Sequence, residues 1–416
     1  MIACLLLLAQ LQLAPPPPAA SGASGSIDPA AAARAYLDQV PAADRARSAA
    51  YFEGGYWLDL VGFLWSAGVF LLLLHTGAAR KMRDRAERWV RWKPLQTAFF
   101  WVDFLVAVTV LSFPLTLYRE YFREHAYGLS NLSFGGWLGE LAKGLALSAV
   151  LGAVALMVLY AVLRRLRQWW LWGAVASVAL LAVALVIGPV LIEPAFNKMQ
   201  KLQDQREVAP ILSLARANGI AAGEVWEMDA SKQSKRIGAH VSGFLGTMRI
   251  TLNDNLLSRC SLPEIEAVMG HEMGHYVIGS VPTLLVEIGL VITAGFALVA
   301  FFFDRLRLRF GRWCVAGIGD LAGLPLIALL FTTYMFVMTP VINSVIRADE
   351  SAADLYGLNS ARQPDGQAQV ALKLGEYRKL EPGPLEEMIF FDHPSGRTRI
   401  FTAMRWKAEH PETWSR

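Results

Sequence analysis

Six long apolar segments constrain the fold of this chain more than any other feature. Each is long enough for an α-helix, rising about 1.5 Å per residue, to cross a hydrocarbon layer about 30 Å thick. A backbone exposed to lipid must satisfy its own hydrogen bonds, so each segment is predicted to be a membrane-spanning helix. The chain is therefore predicted to be a polytopic, mainly α protein of the lipid bilayer. The six segments are residues 57–75, 98–118, 144–163, 170–192, 283–303 and 321–342.

The loops between these segments are unequally charged. Basic residues crowd the loops after the first, third and fifth segments, at residues 80–93, 164–167 and 304–312. The positive-inside rule predicts that these loops are cytoplasmic, which places the larger polar segments on the opposite face. The net charge of +4 is too small and too evenly spread to indicate a nucleic-acid partner. An Ala- and Arg-rich composition favours a bacterial inner membrane, with these polar segments in the periplasm.

Residues 1–20 are interpreted as a secretory signal peptide, because their apolar run ends near Ala14 and is too short to span a membrane. The basic residues that usually precede such a run are missing from this sequence, so an uncleaved anchor and a misassigned start codon remain alternatives. Residues 21–56 are interpreted as a linker rich in Pro, Ala, Ser and Gly, followed by a short helical segment outside the membrane.

The remaining sequence divides into membrane and soluble parts. Residues 57–192 hold four predicted spans, 193–281 form a small α+β domain, 282–342 hold two more spans, and 343–416 return to the same soluble domain. Within 193–281, a helix is predicted at 210–219 and strands at 224–231, 237–243 and 247–254, with a turn at 243–246.

The strongest chemical signal lies on a helix that is predicted to begin at Ser261, where Ser261 and Glu264 form a capping box. His271 and His275 are four residues apart, so both imidazoles project from one helix face and suit two ligands of one tetrahedral zinc ion. Glu272 lies beside them as a general base that accepts a proton from water. This is the HExxH arrangement of zinc hydrolases. Two surface histidines on an amphipathic helix are the alternative.

A catalytic zinc ion needs a third protein ligand. The three cysteines form no CxxC pair, so a carboxylate is expected. Glu350 and Asp354 are also four residues apart, and we predict Glu350 as the third ligand and Asp354 as the acceptor of a hydrogen bond from a ligand imidazole. Arg347, one turn earlier, is predicted to hold a carboxylate in place. The alternative is a solvated, charged helix end.

A third element begins at Asp392 and contains His393, Pro394 and Arg399. A histidine oriented by a nearby Arg or Asp can donate a hydrogen bond to the oxyanion that forms during peptide hydrolysis. The His-Pro pair is equally consistent with an ordinary turn.

Together these stretches resemble the integral-membrane zinc metalloproteases typified by the type I CAAX prenyl proteases. The similarity covers about residues 98–400 and includes EPAFNK, ITLNDNLL, HEMGH, the N-x-x-x-R-x-x-E-x-x-x-D run and HP-x-x-x-x-R-I. It implies a gluzincin-like fold with one Zn²⁺ per chain, in an active site that opens into a chamber formed by the membrane helices. The implied site comprises ligands His271, His275 and Glu350, base Glu272, supporting residues Asn343, Arg347 and Asp354, and His393 with Arg399 near the oxyanion.

The resemblance also implies that Gly238, Ala239 and His240 form an edge strand beside the zinc, to which a peptide can add by main-chain hydrogen bonds. Members of the family usually have Asn-Ala-Tyr at these positions, so subsite preference is expected to differ. The eukaryotic members have seven spans and a cytosolic zinc site, whereas six spans and an outward-facing site are predicted here. We therefore carry over the peptidase chemistry and not the CAAX activity.

The predicted function is a membrane zinc metalloendopeptidase that acts on peptide or protein substrates in processing or quality control. Two alternatives remain open from the sequence. One is a CAAX-type prenyl protease with a cytoplasmic active site, and the other is a membrane scaffold or transport component with structural zinc. The sequence leaves the oligomeric state open.

Overall fold

The computed structural model describes residues 27–243 and 248–413. The predicted signal peptide lies outside these ranges, as does the predicted turn beyond Gly243. The described residues form a largely helical protein with one four-stranded sheet. In chain order, the helices are α1 (Pro29–Leu37), α2 (Ala42–His75), α3 (Ala78–Trp89), α4 (Lys93–Leu117), α5 (Phe134–Arg165), α6 (Trp169–Ile187), α7 (Gln205–Ala217), α8 (Asp254–Arg259), α9 (Leu262–Ile278), α10 (Ser280–Arg309), α11 (Leu324–Ala361), α12 (Pro364–Leu374), α13 (Pro384–Phe390) and α14 (Gly396–Glu409).

Among the described residues, six helices are long and apolar enough to cross a membrane, which confirms the predicted number: α2, α4, α5, α6, α10 and α11. They extend beyond the apolar segments because backbone hydrogen bonding continues into the aqueous regions. α2 begins at Ala42, so it includes the last part of residues 21–56, which were predicted to lie outside the membrane. α4 and α6 each continue through five residues of π-helix into short helical turns, Arg123–Ala126 and Glu193–Phe196.

The three basic loops meet at one end of the helical bundle. Arg83 in α3 forms an ion pair with Asp320, with 2.8 Å between Nη1 and Oδ2. Arg164 at the end of α5 donates from Nε to the carbonyl oxygen of Gly319 at 2.9 Å. These contacts place the loops that follow the first, third and fifth spans on the same side, as the charge pattern predicts.

The sheet lies at the other end of the bundle and consists of β1 (Met199–Lys201), β2 (Val225–Met228), β3 (Ala239–Ser242) and β4 (Arg249–Asn253), in the order β1-β2-β4-β3. β2 and β4 are parallel, and the other two pairs are antiparallel. Three of these strands match the predicted ones, whereas the sequence analysis missed the three-residue β1. Because β3 lies at the edge, one side of it is free of strand partners in the described residues.

The sheet, α7 and α9 enclose a compact apolar core. Side chains that are at most 2% exposed come from each of these elements, including Ile211, Ile250, Leu252, Met269 and Met273. This core holds one face of α9 against the sheet, so the opposite face of α9 is left for α11.

α9 and α11 approach each other unusually closely, because glycines lie at their crossing. A Cβ atom on Gly357 would lie 2.8 Å from the backbone nitrogen of His271. A Cβ atom on Gly270 would lie 2.9 Å from the Cβ of Ala361 and 3.0 Å from the carbonyl oxygen of Gly357. The distances of 2.8 Å and 2.9 Å are shorter than real Cβ contacts, and 3.0 Å is tighter than most, so the absence of these side chains allows the two helices to bring their functional residues together.

The N-terminal helix belongs to the soluble domain. In α1, Ala33 and Leu37 are buried in a cluster with residues from α12 and α14, including Ala368, Ile400 and Met404. Residues 21–56 were predicted to be a linker and a short helical segment outside the membrane, with no partner assigned to that segment. The difference arises because α1 gains its stability from this distant apolar surface, which local sequence does not reveal.

Candidate active site

The imidazoles of His271 and His275 converge on a point between α9 and α11. Their Nε2 atoms are 3.2 Å apart, and the Glu350 carboxylate oxygens lie 3.3 Å and 3.4 Å from them. Two ligand atoms that are about 2.0–2.1 Å from one tetrahedral ion are about 3.3–3.4 Å from each other. The donor set and its spacing therefore fit a zinc ion, and the same three residues form a potential metal-binding group.

The Nδ1 atom of each histidine, which faces away from the proposed metal position, contacts a carboxylate. The Nδ1 of His271 lies 2.9 Å from Asp354 Oδ1, as the sequence analysis predicts for a supporting acceptor. The Nδ1 of His275 lies 3.1 Å from Asp349 Oδ2 and 2.9 Å from the hydroxyl of Ser280. Neither Asp349 nor Ser280 was predicted from the sequence. The acidic pair at residues 349 and 350 is a signal that could have found Asp349, whereas nothing in the local sequence marks Ser280.

The carboxylates make this pocket favourable for positive charge. Burial lowers the pKa of His271, but hydrogen bonding to Asp354 and Glu350 outweighs this effect and raises the pKa to about 10. The pKa of His275 is also raised, because Glu350 outweighs the burial of its ring. A cation bound between the imidazoles would meet the same stabilising charges.

Glu272 faces the cavity that adjoins His271. Burial raises the pKa of its carboxyl group above the ordinary value, although the nearby His271 and His275 act in the opposite direction. A carboxylate with a raised pKa holds a transferred proton better than an ordinary one does, which suits a general base.

His393 lies beside Glu350 and lines the same cavity as Glu272. Its Nε2 is 3.3 Å from Glu350 Oε2, and its Nδ1 is 2.8 Å from Asp392 Oδ1. Because Asp392 accepts a hydrogen bond from Nδ1, it orients the ring and leaves Nε2 directed towards the site. The structure thus brings His393 from the C-terminal segment to within hydrogen-bonding reach of the ligand set.

Arg399 occupies a different place from the predicted one beside the oxyanion. Its guanidinium is paired with Asp354, with 2.7 Å between Nε and Oδ2, and its Nη2 lies 3.4 Å from His271 Nδ1. It is therefore on the Nδ1 side of His271, behind the ligand. Its charge holds the Asp354 carboxylate that orients His271, which is a positioning role.

The predictions for Arg347 and Asn343 also need correction. Arg347 was expected to hold a carboxylate, but its guanidinium donates to the carbonyl oxygens of Glu387 and Phe391. Asn343 donates to the carbonyl oxygen of Ile389 at 2.8 Å. Both side chains leave α11 towards α13 and the segment after it, so they anchor the backbone that leads to His393. The position of Arg347 one turn before Glu350 could not show whether its guanidinium binds a carboxylate or backbone carbonyl oxygens.

Comparisons with known proteins bear directly on this geometry. Residues 201–407 match the model of Peptidase family M48, and residues 29–198 match that of the CAAX prenyl protease N-terminal region, described as five membrane helices. The uncharacterized metalloprotease YhfN of Bacillus subtilis is 30% identical over 352 residues, which cover 82% of both chains. The chain belongs to peptidase family M48.

Other M48-related proteins extend the similarity over most of the molecule. CAAX prenyl protease 1 of Saccharomyces cerevisiae is 25% identical, over 72% of this chain and 70% of the relative. The crystal structure of S. mikatae Ste24p matches with a TM-score of 0.74, covering 95% of this chain and 93% of the other, at 20% identity. This structural match shows a shared fold. The chain is accordingly a multi-pass membrane metalloendopeptidase.

In this M48 protein, the three residues predicted to bind substrate, Gly238, Ala239 and His240, do not all face the same surroundings. Gly238 and Ala239 line the cavity beside the HExxH helix, and Ala239 begins the edge strand β3. His240 instead pairs with Glu193 at the end of the fourth span, with 3.3 Å between Nε2 and Oε1. Alternation along a strand explains this difference, because successive side chains point to opposite faces.

Proposed function

We propose that this M48 protein hydrolyses peptide bonds with one zinc ion per chain, held by His271, His275 and Glu350. The observation that carries the proposal is the 3.2–3.4 Å spacing of the three ligand groups. When bound, zinc supplies a Lewis acid that polarises the scissile carbonyl and lowers the pKa of water. Glu272 serves as the general base that takes the proton from the attacking water and later delivers it to the leaving amine.

The other residues position the reacting groups. Asp354 and Asp349 fix the ring orientations of the two histidines through their Nδ1 atoms. His393 donates from Nε2 to the developing oxyanion, while Asp392 holds the ring in place from the Nδ1 side. Arg399 acts on His271 through its pairing with Asp354.

A peptide substrate adds to the free edge of β3 through main-chain hydrogen bonds. Gly238 and Ala239 lie at the start of this edge and on the cavity wall, so an extended peptide bound there passes beside Glu272. Main-chain pairing reads little side-chain identity, which suits an enzyme for processing or quality control of unfolded segments at the membrane.

We place the active site on the periplasmic side of a bacterial inner membrane. The basic loops cluster at the end of the bundle remote from the sheet, and clustered basic loops favour the cytoplasm. Prenylated CAAX proteins are made in the eukaryotic cytosol, so a site facing the periplasm would not meet them. A CAAX-type protease with a cytoplasmic site remains the alternative, and a structural role for zinc is the second.

The direct test of the chemistry is cleavage of an unfolded, unprenylated protein such as reduced casein by wild type and by Glu272→Gln. We expect wild type to cleave and the variant to lose at least about a hundredfold in rate, because general-base catalysis contributes on this scale. Glu224→Gln removes a carboxylate paired with Lys201 on the surface of the same domain and is the matched control. Equal rates for Glu272→Gln and wild type would exclude the proposed base.

A further inference from the structure

A cavity continues from the candidate active site into the soluble domain. Glu272 and His393 border it on one side, and Gly238 and Ala239 border it at the edge strand. Much of the remaining wall is apolar and comes from α9 and α12, including Val268, Val370, Ala371 and Leu374. The cavity therefore adjoins both the catalytic groups and the proposed path of the peptide.

Among the described residues, one charged side chain on this cavity has no counterion in contact with it. Arg378 lines the wall just after α12, and its guanidinium makes no hydrogen bond or ion pair with any residue in 27–243 or 248–413. The segments outside these ranges contain no Asp or Glu. The carboxylates that influence it are already engaged, since Asp392 contacts His393 and Glu350 faces the two ligand histidines.

The contrast with Arg399 is informative. Arg399 lines the same cavity but is satisfied by two hydrogen bonds to Asp354. Burial and the like charge of Arg399 both act against the charge of Arg378 and lower its pKa. A partly buried cation without a partner is less stable than one that receives a ligand carboxylate.

We propose that Arg378 binds a carboxylate group of the peptide substrate. A guanidinium presents a planar fork of donors that matches a carboxylate, and the apolar wall accommodates the aliphatic part of the same or the adjoining residue. The carboxylate comes either from an Asp or Glu side chain near the scissile bond or from a free C-terminus. This inference rests on the proposed peptidase function and adds a substrate preference to it.

The test measures binding and turnover with the same short fluorescent peptides. The peptides differ in Glu against Gln at one scanned position, or in a C-terminal acid against an amide, so that the two sources of carboxylate are separated. Binding is measured with zinc-loaded Glu272→Gln protein in nanodiscs, where turnover does not interfere, and kcat/KM is measured with the wild-type base.

We expect at least one acidic peptide to bind, and to be cleaved, about tenfold better than its neutral counterpart, because a charge-assisted hydrogen bond has this magnitude. Arg378→Gln should bring this ratio close to one, and Arg378→Glu should favour Lys over Glu at the same position. Arg216→Gln removes an exposed arginine on α7 and should leave the ratio unchanged.

Reversal of preference by Arg378→Glu cannot arise from a merely structural role. The inference would be overturned if the protein with Arg378 bound acidic and neutral peptides equally well, both for the Glu and Gln pair and for the C-terminal acid and amide pair. A preference for acidic peptides that survives in Arg378→Gln would also overturn it. If acidic peptides bind selectively but zinc-loaded wild type cleaves none of them, the carboxylate site stands and the proposed peptidase chemistry fails.

Discussion

At the residue scale, the site depends on a chain of positioning contacts around each ligand. His271 is oriented by Asp354, which is in turn held by Arg399, and all three side chains are largely buried. His275 has the analogous support from Asp349 and Ser280. Such partners fix the tautomer and direction of an imidazole, so the affinity of the metal depends on residues that do not touch it.

We therefore predict that Asp354→Asn weakens zinc binding about 10- to 100-fold, because the amide supports the His271 ring less well and leaves Arg399 without its counterion. Competition with a zinc chelator of known affinity measures the change. Asp304→Asn, which alters an exposed carboxylate at the far end of α10, is the control. Unchanged zinc affinity in Asp354→Asn would show that the carboxylate has no role in supporting the ligand.

At the element scale, the crossing of α9 and α11 creates the site. α9 carries the two proposed histidine ligands and the proposed general base, and α11 carries the proposed third ligand. The crossing is close because Gly270 and Gly357 leave room for the opposing backbone. α11 is continuous with the last membrane span, so the position of Glu350 is fixed by packing in both the membrane and the soluble domain.

We predict that Gly357→Ala lowers thermal stability and zinc affinity together. Its new Cβ would lie 2.8 Å from the His271 backbone nitrogen, so the helices must separate, and overpacking of this kind costs about 1–3 kcal/mol. Thermal unfolding and zinc titration measure the two effects. Gly144→Ala, where a Cβ meets nothing within 4 Å, should leave both unaltered or slightly raise stability. Normal zinc affinity in Gly357→Ala would show that close approach is unnecessary.

Sequence reasoning succeeded at this scale where a local pattern carries the information. The length of the apolar segments predicted the membrane spans. The four-residue spacing placed His271 and His275 on one helix face, and Glu350 and Asp354 on one face of another helix. It failed where a partner is distant in sequence. The docking of α1 on α14, the direction of Arg347 and the contact of His275 with Asp349 all depend on tertiary packing, which no local period encodes.

At the scale of the whole molecule, charge and architecture agree. The basic loops gather at one end, through contacts such as those of Arg83 with Asp320 and of Arg164 with Gly319. The sheet, α9, α12 and α14 lie at the other end, and α1 packs onto them. An even number of membrane helices is consistent with both described ends of the chain lying on the side of the active site.

We predict that alkaline phosphatase fused at the C-terminus is active in a Gram-negative host, because that enzyme needs the periplasm. The same reporter inserted at residue 167, in a basic loop, should be inactive and is the matched control. A fluorescent cytosolic reporter should give the opposite pattern at both positions. Inactive phosphatase at the C-terminus together with an active insertion at 167 would place the zinc site in the cytoplasm and favour the CAAX-type alternative.

The measurement that tests the central claim most directly is the zinc content of purified wild type, Glu272→Gln and Glu350→Ala, determined by elemental analysis per chain. The account predicts about one zinc ion in wild type and in Glu272→Gln, because the base is not a ligand, and strong depletion in Glu350→Ala, where two histidines remain without their third partner. Full zinc occupancy in Glu350→Ala would contradict the assignment of the metal site between α9 and α11.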